Sequence, residues 1–534
     1  MAHLALTRRA FLGTSAAAMG ASALSSGVLA QSARFRRWEI SDPNMPTTVL
    51  TSYKKAIGEM LKLPPTDPRN WYRNAFVHVF DCPHGNWWFL PWHRAYLGWL
   101  ERTCRELSGD QTFALPYWDW TKSPRVPAAM FEDVLDPNNS QFIATFDEFK
   151  PKFEAPLAAL YASFSQAQKD ALSRRNFPAT AADLLTVVGQ RFFFDQPEAR
   201  GLAAANPDLD EDTKKTVAID MITDALLTPS FAGSESGPDA AGFASAKAAH
   251  HSGRSRKGIL ESEPHDNVHG AIGGVNNRAF MVSLLSSVDP IFFLHHGNLD
   301  RLWDVWTRRQ AARGRPTLPQ GADLAAWSDE QFLFFSDERG QPATKIKSGD
   351  YAAMSAFDYD YSAGSGEDQV PAPAIVAALP AIPTRSFSAS ITSRSLGAGE
   401  AARGVAEVPA TALRAAAAPE ASPPVAEITL NLSEADQGRR FRVQVTPAGG
   451  GSPITAGTIT VFGEHGHHGP ATFTVPLPKA PGAATAPAGT NVPLDISVVP
   501  IEPTGGLPRR AGPAAATARA ASQPELAAIR VLTN

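Results

Sequence analysis

His78-Val-Phe-Asp-Cys-Pro-His84-Gly-Asn-Trp-Trp-Phe-Leu-Pro-Trp-His93-Arg94 is the first of two stretches that decide how this chain is read. The second is Glu261-Ser-Glu-Pro-His265-Asp-Asn-Val-His269, followed by Asp289-Pro-Ile-Phe-Phe-Leu-His295-His296-Gly-Asn-Leu-Asp-Arg-Leu-Trp303. About half of the chain's 13 histidines lie in these places. Imidazole is a ligand type that suits copper, zinc and iron. Two separate sets of three histidines, with few carboxylates or thiols among them, point to a pair of like metal ions.

Spacing says how such ligands converge. His265 and His269 are four apart and share one face of a helix. Pro264 just before them fits a helix's first turn, where a missing N–H costs nothing. Asp289-Pro290 is a second start signal, with Asp as N-cap and Pro at the first helical position. Helical periodicity then runs from Ile291 to Trp306. His295 and His296 are adjacent and point about 100° apart, so one of them faces a metal. His93 opens a further helical run, Arg94 to Leu107, and His84, among Pro83, Gly85 and Asn86, reads as a loop residue.

These residues resemble the tyrosinase, catechol oxidase and hemocyanin family of type 3 copper proteins. The pieces that carry the resemblance are the interval of nine from His84 to His93, Pro91-Trp92-His93-Arg94, Leu115-Pro-Tyr-Trp-Asp-Trp120, the His-x-x-x-His pair, and Asp-Pro-Ile-Phe-Phe-Leu-His-His with Asp300-Arg301-Leu-Trp303 behind it. They run in family order over roughly residues 70 to 362. By that resemblance one copper is held by His78, His84 and His93, and the other by His265, His269 and His296, with His295 a neighbour. Cys82-Pro83-His84 is similar to the Cys-x-His of fungal tyrosinases and molluscan hemocyanins, where a thioether joins the two side chains. Six independent core histidines would not reproduce this order.

The resemblance also assigns residues around the metals. Glu261, four before His265, stands where plant members hold a water, with the residue after His265 as its neighbour. Good monophenol hydroxylases often have Asn there; this chain has Asp266, which weakens the expectation of monophenolase activity. The plainer reading of both acids is a helix start favoured by the dipole. Gly270 replaces an Arg found in some bacterial tyrosinases. Ser283, thirteen before His296, replaces a gating Phe and suggests an open entrance. Phe292, one helical turn before His296, reads as a pocket wall.

Other reactive residues take plainer readings. With only two cysteines, a disulfide framework and a thiolate cluster are excluded. Cys104 reads as a small core residue. His250 and His251 sit in a polar stretch and read as solvated. His465, His467 and His468 form a loop tip, solvated or copper-handling. Thr7-Arg8-Arg9-Ala10-Phe11-Leu12, a weakly apolar run and Val28-Leu29-Ala30 before Gln31 form a twin-arginine signal peptide over 1–30, which implies periplasmic or secreted location. Scarce cysteine fits folding before export in a reducing cytoplasm. A formal charge of −4 and a pI near 6.4 argue against a nucleic-acid partner, and no other segment reads as a membrane span.

About 504 residues follow the leader, enough for two or three domains. Residues 31–365 carry the copper motifs and are expected to be a mainly α catalytic domain, a helix bundle holding the dicopper site. Tyr359-Asp360-Tyr361 resembles the sign that closes it in plant and fungal members. Residues 366–425 are Ala/Pro-rich and read as a linker with one early strand near Phe387 to Thr392. From 426 to 534 period-two alternation marks a C-terminal β-sandwich domain. Its strands are Ile428–Leu432, Phe441–Val445, Gly457–Val461, Ala471–Val475 and Leu494–Val498, and residues 502–522 read as flexible. In family members of this layout such a domain packs on the catalytic domain as a lid, here with Phe462 or the 465–468 loop filling the ring pocket. The function implied is a copper-dependent polyphenol oxidase that uses O2 to oxidise o-diphenols and to hydroxylate monophenols. A hemocyanin-like O2 binder and an o-aminophenol oxidase are the alternatives.

Overall fold

The computed structural model describes residues 33–533 apart from 176, 178–179, 192–198, 233–241, 275–278, 372–383, 398, 419–420, 434–435, 448–450, 464–468, 479–485, 488 and 502–522. The expected signal peptide, the 465–468 histidines and the 502–522 stretch lie outside the described residues. Among the described residues no helix is long and apolar enough to cross a membrane.

The first half is helical, as expected. Four segments bring the histidine motifs together: helices Trp71–Asp81, Phe89–Ser108, Asp266–Gly273 and Ile291–Ala312. Asn70 caps the first of these, its side chain accepting from the Tyr72 and Arg73 N–H groups, which have no partner inside the helix. Pro91 sits in the first turn of the second, where its missing N–H is harmless. Asp289 accepts from the Ile291 N–H at 3.1 Å and so caps the fourth. The core they share is aromatic, with Trp71, Trp92, Trp118, Trp120, Trp303 and Trp306 each at most 1% exposed.

The His265 helix differs from expectation. Pro264 does not open it. The helix is already under way at Ile259, and Pro264 falls in a π-turn over Glu261–His265 before the Asp266–Gly273 α segment. Proline lacks the N–H and clashes with the carbonyl four residues back, so the turn widens by one residue around it.

Buried charges lock the ligand helices. Arg94, next to His93, donates to Asp300 at 2.7 Å, and Asp300 stands one turn after His296. Arg37 bridges Glu101 at 2.8 Å and Asp300 at 3.3 Å, with its guanidinium 3.6 Å from the Tyr359 ring centre. Tyr359 and Tyr361 both donate to Asp300. Strands β1 (Phe35–Arg37) and β2 (Tyr359–Tyr361) pair in parallel, so the Tyr-x-Tyr segment closes on the start of the domain.

The second half is a two-sheet β-sandwich. Its strands are β3 (Arg385–Ser388), β4 (Ser390–Ser393), β5 (Ala402–Pro409), β6 (Val425–Leu432), β7 (Arg440–Thr446), β8 (Ile454–Thr460), β9 (Gly469–Pro476), β10 (Asn491–Pro500) and β11 (Glu525–Thr533). One sheet runs β4-β5-β10-β7-β8 and the other β3-β11-β6-β9, with every pairing antiparallel. Burial alternates along β5 and β7, so every second residue enters the core between the sheets.

The expected linker over 366–425 needs correction. The early strand near Phe387 to Thr392 is two strands, β3 and β4. The stretch also carries β5 and a helix, Ala410–Ala416, and the sandwich starts at Arg385 rather than 426. Ala402, Ala406, Ala410 and Leu413 are fully buried there. Small side chains suit a tight core contact, but in composition they look like linker.

Candidate metal centre

Each set of histidines collects at one place. His78, His84, His93 and Cys82 bring a nitrogen or sulfur each within 4.8 Å of one another, and so do ring nitrogens of His265, His269, His295 and His296. The two groups adjoin: the His93 and His296 rings stack at 4.1 Å and 8°, and those of His84 and His265 lie 5.7 Å apart. All seven rings are at most 6% exposed.

Hydrogen bonds to the far side of each ring set its chemistry. Nδ1 of His78 meets the Leu284 carbonyl at 2.8 Å, that of His93 the Phe89 carbonyl at 2.7 Å, and that of His269 the Met281 carbonyl at 2.7 Å. Nδ1 of His265 meets an Asp266 oxygen at 2.8 Å. These partners only accept, so Nδ1 carries the proton and Nε2 is left with a bare lone pair. Nε2 of His78 and of His265 is buried with no hydrogen-bond partner among the described residues. Nε2 of His269 and of His296 converge to 3.3 Å, where a shared cation satisfies both.

His295 is the opposite case. Its Nδ1 lies 3.2 Å from Nε1 of Trp120, and an indole N–H only donates. Nδ1 therefore accepts, and the neutral ring carries its proton on Nε2. The same four-nitrogen cluster thus contains one ring in the wrong tautomer to bind a metal.

Burial holds these rings neutral, joined by repulsion from neighbouring imidazoles at His84, His93, His265, His269 and His296. Burial lowers the pKa of His78 and of His295 to about 3, and His84, His93, His265, His269 and His296 are pushed well below the usual range. Neutral imidazole is the ligating form. Converging, neutral nitrogens are a donor set that fits two copper ions.

Cys82 begins the loop after the Trp71–Asp81 helix, and its thiol is 1% exposed. Sγ is 3.7 Å from both Nδ1 and Nε2 of His84, equidistant from the two, and 3.4 Å from Nε2 of His93. Burial pushes the thiol's pKa well up. Cys104 is buried in the core as expected.

The neighbouring acids have specific partners. Glu261 accepts from the Gly85 N–H at 2.7 Å and from the Ser245 hydroxyl, which ties the His84 loop to the His265 segment. Gly85 has φ +69°, a conformation glycine adopts without strain. Asp266 orients His265 and accepts from Lys257 at 2.7 Å.

The three residues expected around the pocket, Phe292, Ser283 and Gly270, are all buried. Phe292 packs against rings of both groups, 4.1 Å from His296 and 5.0 Å from His78, and forms a floor beneath them. Ser283 is 2% exposed and its hydroxyl is bound within its own turn, to Phe280 O and Leu285 N. Gly270 faces Thr460 of β8, which a Cβ at that position would meet at 2.8 Å.

Residues from the end of β8 reach the histidine rings. Past the end of β8, the Phe462 ring stacks on His269 at 4.0 Å and 18° and lies 5.2 Å from His84 and 5.4 Å from His265. Gly463 presses on the His84 ring so closely that a Cβ would come within 2.6 Å of it. Thr458 and Thr460 exchange hydrogen bonds with Glu263 and Asn267. Arg440 pairs with Asp210 and Arg442 with Asp212 nearby.

Two residues were misread or passed over in the sequence. His251 is not solvated: it is 2% exposed, with Nε2 2.8 Å from Asp81 and Nδ1 2.5 Å from Glu330. Two carboxylates far off in the chain create a buried site that its polar neighbours do not reveal. Lys257, in Arg254-Ser-Arg-Lys257-Gly, gives no local signal, yet it lies beside the site, 2% exposed at its side chain.

The common central domain of tyrosinase matches residues 58–309. A tyrosinase of Hahella sp. (strain CCB-MM4) is 27% identical over 352 residues, 59% of this chain and 60% of that protein. (+)-Larreatricin hydroxylase of Larrea tridentata is 29% identical over 323 residues, 57% of this chain and 44% of that one. The chain thus spans 60% of the first relative's length and less than half of the second's. Latent apple tyrosinase shares the fold, with a TM-score of 0.53 at 17% identity over 94% of this chain and 98% of its own. A latent aurone synthase, a polyphenol oxidase, does so with a TM-score of 0.55 at 17% identity over 94% and 90%. The segment that gathers the two sets of histidines is thus matched by the common central domain of tyrosinase, over just under half of the chain.

Proposed function

We propose that the chain is a copper-dependent polyphenol oxidase that uses O2 to oxidise o-diphenols to o-quinones and hydroxylates monophenols such as tyrosine. The observation that carries this reading is the pair of adjoining neutral imidazole sets, with Nε2 of His78 and of His265 buried and without a hydrogen-bond partner among the described residues. The ligands in this proposal are His78, His84 and His93 for one copper and His265, His269 and His296 for the other. The copper pair, when bound, supplies dioxygen binding and two-electron transfer. The chain's own work is positional. Backbone carbonyls and Asp266 hold ring tautomers, Phe292 supports the rings from below, and the tight aromatic core excludes water. Glu261 and Asp266 act by fixing the His84 loop and the His265 ring; holding a water between them would be a second use of the same groups. Ser283 and Gly270 leave no bulk of their own over the rings, so access is set by the β-domain.

Three finer parts belong to the same reading. Cys82 and His84 are joined by a thioether, formed when Sγ and the ring carbon each lose a hydrogen and dioxygen takes both electrons and both protons; the symmetric sulfur placement supports it. The C-terminal domain is a lid, with the Phe462 ring in the place of a substrate ring. Arg8-Arg9 directs export of the folded chain to the periplasm or beyond.

Oxygen uptake by the copper-loaded full chain, with tyrosine, catechol and o-aminophenol in parallel, tests the reading. Catechol-driven consumption with quinone formation is expected. Reversible O2 binding without consumption would make it a hemocyanin-like carrier, and preferential turnover of the aminophenol would make it an o-aminophenol oxidase.

A further inference from the structure

The Phe462 residue does more than fill space. While its ring stacks on His269, its backbone carbonyl accepts from Lys257 Nζ at 2.6 Å. Between that ring and that carbonyl carbon stand two atoms, Cβ and Cα. A ring, two carbons and a carboxyl carbon is the skeleton of a phenylpropanoic or hydroxycinnamic acid. The lid residue thus presents to the site the outline of a C6–C3 phenolic acid, with Lys257 bound at its acid end.

We infer that Lys257 is a specificity-determining residue, which binds the carboxylate of C6–C3 phenolic acids once the lid moves away. The inference rests on the oxidase reading and on the lid. A seated lid satisfies Lys257 with a neutral carbonyl; a substrate carboxylate replaces it with a charged acceptor, and hydrogen bonds to charged partners are the stronger kind. Asp266 holds Nζ from the other side at 2.7 Å, which fixes the ammonium in place. The neighbouring Arg256 is paired at 3.0 Å with Glu427 of β6, which also pairs with Arg530 of β11, so lid movement frees Arg256 from its carboxylate as well. Both changes make the open site more favourable to an anionic tail. This also supplies the cation that Gly270 does not.

The test uses the copper-loaded full chain and two catechols of the same shape: dihydrocaffeate and its methyl ester. Only molecules with the lid away turn over either one, so the ratio of their kcat/KM values is independent of how often the lid opens. Wild type is expected to favour the acid, and Lys257→Met to lower the acid-to-ester ratio by about 10- to 100-fold, the loss of one charged hydrogen bond. Lys257→Arg should retain most of the preference. An unchanged ratio in Lys257→Met overturns the inference. Binding of unreactive phenylpropanoate against phenylpropanol, measured by calorimetry, separates this failure from failure of the oxidase reading. Tighter binding of the acid that disappears in Lys257→Met supports the inference even without turnover, and equal binding of acid and alcohol sinks it even if catechol is oxidised.

Discussion

Replacing Phe462 with alanine removes a fully buried ring that touches rings of both histidine sets. Phe-to-Ala changes in packed interiors cost about 3–5 kcal/mol. On the proposed lid reading, this loss acts on the seating of the β-domain over the metal centre rather than on either core. A loss of ~3 kcal/mol raises the open-to-closed ratio by about 100-fold. Even a seated lid would leave a ring-sized gap over His269. Quinone formation from a small catechol by copper-loaded Phe462→Ala should therefore rise by at least about tenfold over wild type, limited only once every molecule is open. Copper content, measured on the same samples, should stay at two per chain. A variant with both coppers and no gain in activity would refute the reasoning: the ring would then support the His269 face without blocking it.

Two further outcomes follow from the same geometry. Intact mass of the copper-loaded, denatured chain should be two hydrogens below the mass expected from sequence, with Cys82 and His84 in one cross-linked peptide; free alkylation of Cys82 after unfolding would reject the thioether. His251 is pulled down by burial, but Asp81 and Glu330 outweigh this and raise its pKa. Its stabilising charge is complete below the unfolded value of about 6.5 and is lost as pH rises through the raised folded value. Wild type should thus lose more melting temperature than His251→Gln between about pH 6 and 9, and equal losses would remove His251 as a source of alkaline instability.

The metal centre was legible because its information is local. His265 and His269 four apart, the nine-residue step from His84 to His93, and the Asp289-Pro290 helix start each fix a face or an end without knowledge of the rest. The strands from β6 to β10 were legible for the same reason, since alternation needs only neighbours. What failed depends on distant partners. Pro264 reads as a helix start unless the helix is known to begin at Ile259. The alanines of β5 read as linker until an opposite sheet needs small side chains. His251 reads as solvated until Asp81 and Glu330 arrive from elsewhere in the chain. Lys257 has meaning only beside Phe462, and no spacing rule links them. The expected 366–425 linker narrows accordingly: a cut that releases the whole sandwich must fall before Arg385.

The central claim is that six particular rings, and not the seventh beside them, hold two copper ions. Copper content of purified His296→Ala and His295→Ala, each measured beside wild type, tests it most directly. Wild type and His295→Ala should bind two coppers per chain and His296→Ala one, because the Trp120 bond leaves His295 with its proton on the nitrogen a metal would need. Loss of a copper from His295→Ala, with two retained in His296→Ala, would contradict the account.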